Sequence, residues 1–209
     1  MLEKARKKSP SSYHHGDLRE ALVRAARRIL EKEGIARLSL RRVARAAGVS
    51  PAAPYHHFAD KQALLDAIAA QGFAALTAEM RARMAKKPDP AGRLDASGIG
   101  YVIFAVENPT LFQLMFGGDR QSSSAKAALN KSREIAYGVL QAAVADASAD
   151  GTAPPLVCLR LWALVHGIAK LIVEDCIKPS HYGVSSSEAL AERLLTHRSF
   201  PLHNRDEVF

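Results

Sequence analysis

Residues 38–61, LSLRRVARAAGVSPAAPYHHFADK, restrict what this chain can fold into more than any other part of it. A short amphipathic helix is expected from Ser39 to Ala47. Leu40, Val43, Ala44 and Ala47 line its inner face, and Arg41, Arg42 and Arg45 lie outside. Gly48-Val49 then turns the chain, and a second helix opens at Ser50-Pro51 and runs into Tyr55-His56-His57-Phe58. Two short helices about a glycine turn make a helix-turn-helix, which lays its second helix in the major groove of DNA. Double-stranded DNA is therefore the expected partner.

The charge distribution points the same way. Up to Lys61 the chain holds 14 Lys and Arg against 6 Asp and Glu, and the remainder holds 15 of each. The whole net charge of +8 thus lies with the helix-turn-helix, where phosphates would be met. Frequent Ala and Leu, few aromatics and no β-branched run of strand length predict an all-α fold.

Periodicity and breaker residues predict about nine helices. Residues 1–12 read as a disordered basic arm. Residues 13–59 hold a first helix, capped by Asp17 and ended by Gly34, and then the helix-turn-helix. Asp60 opens a connecting helix over 60–86 with Leu64, Leu65, Ile68, Phe73, Leu76 and Met80 on one side. Residues 87–197 form a larger helical domain, with helices near Ala91–Val106, Pro109–Phe116, Ser123–Ala147, Pro155–Ile177 and Ser187–Leu195. Residues 198–209 read as a frayed tail. The helix from Pro155 is apolar almost all round, so its own domain and a second subunit should share its burial.

Cys158 and Cys176 read as one helix, about 27 Å apart along its axis, out of disulfide reach and buried. The first residues lack the apolar core of a signal peptide, and no apolar run reads as membrane-spanning. The expected location is cytoplasmic, with no membrane partner.

In the reading head, Ser50 should cap the third helix and Pro51 should occupy its first position. Small Ala52 and Ala53 would let that helix sit deep, with methyl contacts to thymine. Tyr55, His56 and Lys61 suit phosphates, which set register rather than sequence. His57 reads as a phosphate contact or as packing. Arg41 suits a bidentate contact to guanine, whereas Arg42 and Arg45 also read as general solvated charge. Phe58 reads as a core anchor. Pro54 costs a helix hydrogen bond to Ser50. Adjacent histidines at 14–15 and 56–57 lack ligands at metal spacing, so no metal or cofactor is expected.

These residues resemble the DNA-binding domain of TetR-family transcriptional regulators. The likeness runs from Tyr13 to Phe73 and rests on Gly34, Ser39, Ala47 to Ser50, Tyr55 to Phe58, and Lys61. Pro54 departs from the family pattern, which has a β-branched residue or Leu there. The resemblance implies DNA contacts from Ser39, Arg41, Arg42, Ser50, Pro51, Ala52, Ala53, Tyr55, His56, His57 and Lys61. In the second domain, Asn108-Pro109, Leu111-Phe112, Leu114-Met115-Phe116 and Trp162-Ala-Leu-Val-His166-Gly167 resemble the subgroup named for a Trp-His-Gly motif. Phe73, Ile103, Phe104, Phe112, Met115, Phe116, Trp162 and His166 form the candidate effector pocket. Each of these also reads as core.

The implied function is a homodimeric repressor on a pseudo-palindromic operator. The dimer would pair through the two long C-terminal helices, and a small apolar effector would release the DNA. A TetR-like activator and a non-specific nucleoid protein are the alternatives. An enzyme is not expected. No G-x-S-x-G, phosphate-binding or dinucleotide fingerprint is present, and His166, Asp175 and Cys176 point in different directions.

Overall fold

A computed structural model describes residues 15–117 and 126–196. The expected basic arm, the tail and the start of the helix expected from Ser123 lie outside these residues. So does the side chain of Asp17, the expected first cap. Eight α-helices are present: α1 His15–Glu33, α2 Leu40–Ala46, α3 Lys61–Met84, α4 Pro90–Glu107, α5 Pro109–Phe116, α6 Lys126–Ala147, α7 Pro155–Val173 and α8 Ser187–Leu195. Short 3₁₀ turns occupy Ile35–Arg37, Ala53–His56 and Pro179–Tyr182. Among the described residues there is no strand. The chain divides into two compact units, one ending at Leu64 and the other beginning at Leu65.

In the first unit, α1 buries Leu22, Val23, Ala25, Ala26, Ile29 and Leu30, the spacing of a single helical face. Gly34 ends it, with its N–H on Leu30 O and a φ of 79° that favours glycine. Ser39 caps α2, accepting from Arg42 N–H at 3.3 Å, and Leu40, Val43 and Ala44 are buried. Gly48 turns the chain at φ 71°.

One expected helix is not an α-helix, which accounts for eight where nine were expected. After Gly48 the chain makes a turn and then the Ala53–His56 3₁₀ segment. Its bonds run Ala53 N–H to Ser50 O and Tyr55 N–H to Ala52 O, the i to i+3 pattern. Pro54 explains the tightening. It has no N–H to give Ser50, and its ring would collide with that carbonyl in an α-helix. Ser50 consequently does not cap: Ala52 is the residue before the 3₁₀ segment, and no side chain caps it. Pro54 itself is buried, and Phe58 is buried beneath the Arg19 guanidinium at 5.3 Å.

In the second unit α4 is the central helix, packed against α5, α6, α7 and α8. Asp89 caps it through Gly92 N–H, and Pro90 takes the first turn. Residues 99–105 are buried without interruption. Asn108-Pro109 then bends the chain by 108° into α5. A side chain at Gly100 would lie 3.2 Å from the Met80 backbone, so glycine sets how closely α3 and α4 approach. Gly100→Val should cost about 1–3 kcal/mol by overpacking; an unchanged urea midpoint would refute the close approach.

Helix α7 ends at Val173, four residues short of expectation. Asp175 takes φ 57°, and the N–H groups of Cys176 and Ile177 both fold back to Leu171 O. Cys176 therefore lies beyond the helix and is exposed, while Cys158 is buried as expected. Burial pushes the Cys158 thiol pKa up.

The membrane reading also needs correction. Lys61–Met84 and Pro155–Val173 are long and apolar enough, by length and composition, to cross a membrane. Scattered charges interrupt their apolar runs without lowering the mean hydropathy enough to exclude them. Of the apolar window, 67% is buried within the protein for the first helix but only 22% for the second.

Candidate nucleic-acid interface and effector site

The 3₁₀ geometry sorts the reading-head residues by exposure. Side chains three apart stack over one another in such a turn, so Ala52 lines up with Tyr55, and Ala53 with His56. Ser50, Pro51, Ala52, Tyr55 and His56 are exposed, Tyr55 at 53%. Ala53 and His57 are half-buried. On α2, Arg41 is exposed, and among the described residues its side chain has no hydrogen bond or ion pair.

Three other residues of the set hold the head together. Arg42 Nη2 meets both Glu33 carboxylate oxygens at 2.5 Å, tying α2 to the end of α1. Lys61 Nζ donates to Ile35 O at 2.8 Å. Ser39 is occupied as a cap. Sequence alone could not pair Arg42 with Glu33 or Lys61 with Ile35, because those are tertiary contacts.

The structure brings together five of the eight candidate pocket residues. Phe73 meets Phe116 edge-on at 5.2 Å, and Phe112 meets Phe116 at 4.9 Å. His166 lies 4.7 Å from Phe116, 5.5 Å from Phe112 and 6.2 Å from Trp162, centroid to centroid. Met115, Ile103 and Phe104 are buried, and Met115 lies beside Gly72 of α3. The sequence reading missed Tyr101, Tyr137 and Arg133. Tyr101 Oη lies 2.9 Å from His166 Nδ1, and the Trp162 side chain hydrogen-bonds the same hydroxyl. The indole N–H can only donate, so the hydroxyl accepts from Trp162. The signal was a tyrosine within the apolar run of α4, since a buried hydroxyl needs a partner. Tyr137 packs on Trp162 at 5.9 Å. A separate cleft of about 70 Å³ lies between Leu94, Ser97, Leu140, Leu161, Val165 and Leu195.

Burial raises the Tyr101 pKa and lowers that of His166, and Lys170 lowers His166 further. The folded chain therefore favours neutral imidazole. Its folded pKa is below the ordinary 6.5, so this stability is whole above pH 6.5 and is lost as pH falls toward the lowered value. Melting temperature should drop through that window, and His166→Asn should flatten the drop. An unchanged slope in the variant would show that another group is responsible.

The outer faces of α6 and α7 are the other unsatisfied surface. Leu156 is 74% exposed and Leu159 49%, and with Ala163, Gly167 and Leu171 they form one stripe of α7. On α6 the outward stripe is Lys131, Ile135, Gly138 and Ala142. Among the described residues, a side chain at Gly138 or Gly167 would meet nothing within 4 Å.

Residues 22–68 match the profile of bacterial regulatory proteins of the tetR family, and residues 94–197 match a Tetracyclin repressor-like C-terminal domain. The second match does not name the Trp-His-Gly subgroup. No curated protein matches. Among solved structures, a Rhodococcus sp. RHA1 protein of unknown function is 31% identical, with TM-score 0.70 over 90% of this chain and 100% of that one. The TetR-family transcriptional regulator PfmR from Thermus thermophilus is 20% identical, with TM-score 0.63 over 92% and 99%. AibR, solved with isovaleryl coenzyme A and operator DNA, is 18% identical, with TM-score 0.62 over 88% and 98%.

Proposed function

This chain belongs to the tetR family of bacterial regulatory proteins, and from that premise we propose that it is a homodimeric repressor released from a pseudo-palindromic operator by a small apolar effector. As a member it is a DNA-binding transcriptional regulator and not an enzyme. The observation that carries the finer reading is the pairing of charge with exposure. The unit that holds the entire net charge also presents Arg41, Ser50, Pro51, Ala52, Tyr55 and His56 to solvent.

Tyr55 and His56 set the head on phosphates, and Arg41 reads a base edge. Ser39, Arg42, His57 and Lys61 border this surface, and Ala53 lies under it. Two heads held by a dimer read half-sites one helical turn apart. The stripes of α6 and α7 supply the dimer contact, because their small residues allow close helix approach and, among the described residues, nothing would meet a side chain at Gly138 or Gly167 within 4 Å. The same contact accounts for the apolar exposure of α7 without lipid. Arg160 and Lys170 are exposed on that helix too, and a bilayer interior would penalise both.

The effector enters the aromatic cluster around His166. AibR, which shares this fold, is solved in complex with isovaleryl coenzyme A and operator DNA. An occupant here would alter the Trp162–Tyr101–His166 contacts that join α4 to α7. The operator then loses because ligand favours the conformation that binds DNA less well.

Selection of bound genomic fragments, followed by titration at fixed salt, tests the proposal. One preferred palindrome is expected, with specific binding about 10³-fold or more above non-specific binding. A steep salt dependence with no preferred site would favour the nucleoid reading instead. Tyr55→Ala should weaken specific and non-specific binding alike and leave the salt slope unchanged, because a neutral hydroxyl releases no counterion; unchanged binding would remove Tyr55 from the interface.

A further inference from the structure

The aromatic cluster carries a cation at its edge that no carboxylate among the described residues answers. Arg133 lies four residues after buried Leu129 and seven before buried Leu140, which places it on the core-facing stripe of α6. The other arginines that bridge long helices of this unit end on acids. Arg83 reaches Glu188, and Arg93 reaches Asp146. Arg133 instead donates through Nη2 to Met115 O at 3.3 Å, a long hydrogen bond, and its Cζ lies 5.6 Å from the Phe73 ring centroid. Among the described residues it has no acidic partner.

Both contacts are weak ones to displace. A guanidinium over a phenyl ring is worth about 0.5–1 kcal/mol when exposed, whereas its forked geometry matches a carboxylate with two charge-assisted hydrogen bonds. Inward from Arg133 the rings continue without a gap, from Phe73 to Phe116 and from Phe116 to His166. Phe116 and His166 are only half-buried, so the ring wall reaches solvent beside the cation. Phe116 is the last residue of α5, and the extended Gly117 follows it. Its ring meets Phe73, Tyr101, Phe112 and His166, but it stands at the helix end, with no further helical turn to hold its backbone.

We propose that the effector is an apolar carboxylic acid. Its carboxylate pairs with Arg133, and its body takes the place of the Phe116 ring between Phe73 and His166. This rests on reading the cluster as the effector site and names the chemistry that the site selects.

The test is calorimetric titration of the full chain, without DNA, using phenylacetate, 4-phenylbutyrate and octanoate, each beside its primary amide. At least one acid should bind about tenfold more tightly than its amide. Arg133→Gln should abolish that preference. Arg133→Lys should keep part of it, since charge remains without the fork. Phe116→Ala should tighten acid and amide together by removing the ring that must be displaced. Thermal melts of the Arg133 variants should match the parent, because this side chain is exposed. Equal binding of acid and amide, binding of no acid, or an acid preference that survives Arg133→Gln would each overturn the proposal. Operator affinity is read separately by fluorescence anisotropy. An Arg133-dependent acid preference with no loss of operator binding would uphold the anion site and sink only its role in release.

Discussion

Arg41→Ala should abolish most of the discrimination between operator and random DNA while leaving non-specific binding within a few-fold of the parent. A bidentate guanidinium contact to a base edge contributes about 1–3 kcal/mol of discrimination. A dimer uses the contact twice, so the operator should lose roughly 2–6 kcal/mol, about 30-fold to more than 10⁴-fold in affinity. Anisotropy titration of the selected operator and a scrambled duplex, at one salt concentration, measures both quantities. Arg41 is the informative arginine because its side chain has no partner among the described residues. Arg42 makes the contrast. Its guanidinium is held by Glu33 at 2.5 Å, so Arg42→Ala should reduce stability by about 0–1 kcal/mol, as exposed pairs do, with a smaller effect on operator choice. A variant pair in which Arg42 carries the discrimination and Arg41 does not would reverse these assignments.

The arginine pair also shows how far local sequence reaches. Helix ends marked by a local chemical signal were legible: Asp60 caps its helix, Gly34 stops α1, and Asn108-Pro109 separates α4 from α5. Each depends on groups within a few residues, so periodicity and caps could locate them. Ser50-Pro51 carried an equally good start signal, yet Pro54 forbids the α-helical bond that such a start requires. Two local rules conflicted, and the steric one prevailed.

Tertiary pairing was not legible. Glu33 with Arg42, Ile35 O with Lys61 and Tyr101 with His166 join residues 9, 26 and 65 positions apart. Nothing in the spacing of such residues marks them as partners. The cost fell on the candidate sites: residues read as free to meet DNA turned out to hold the head together, and Tyr101 was overlooked. Arg133 was missed for a related reason, because a charge at a core-facing position is visible only once the helix has neighbours.

Gly167→Leu should separate two effects that usually move together. Gly167 lies inside α7, and a side chain there meets nothing within 4 Å among the described residues. Leucine is the better helix former by close to 1 kcal/mol, so the subunit by itself should become more stable. Across a two-fold axis the same change places two new side chains between the α7 stripes, where Ala163 and Gly167 permit close approach. Overpacking of that contact costs about 1–3 kcal/mol per site and is counted from both subunits. Dimer dissociation should therefore rise by roughly 30-fold or more, and operator affinity should fall with it, because half-site spacing depends on the pair. Sedimentation velocity across a concentration series reads the first change, and anisotropy reads the second. Leu159→Glu, on the same exposed stripe, should reproduce the dissociation without the gain in helix stability. If both variants remain dimers with parental operator affinity, the stripes of α6 and α7 are not the subunit contact. The apolar surface of α7 would then require a different occupant.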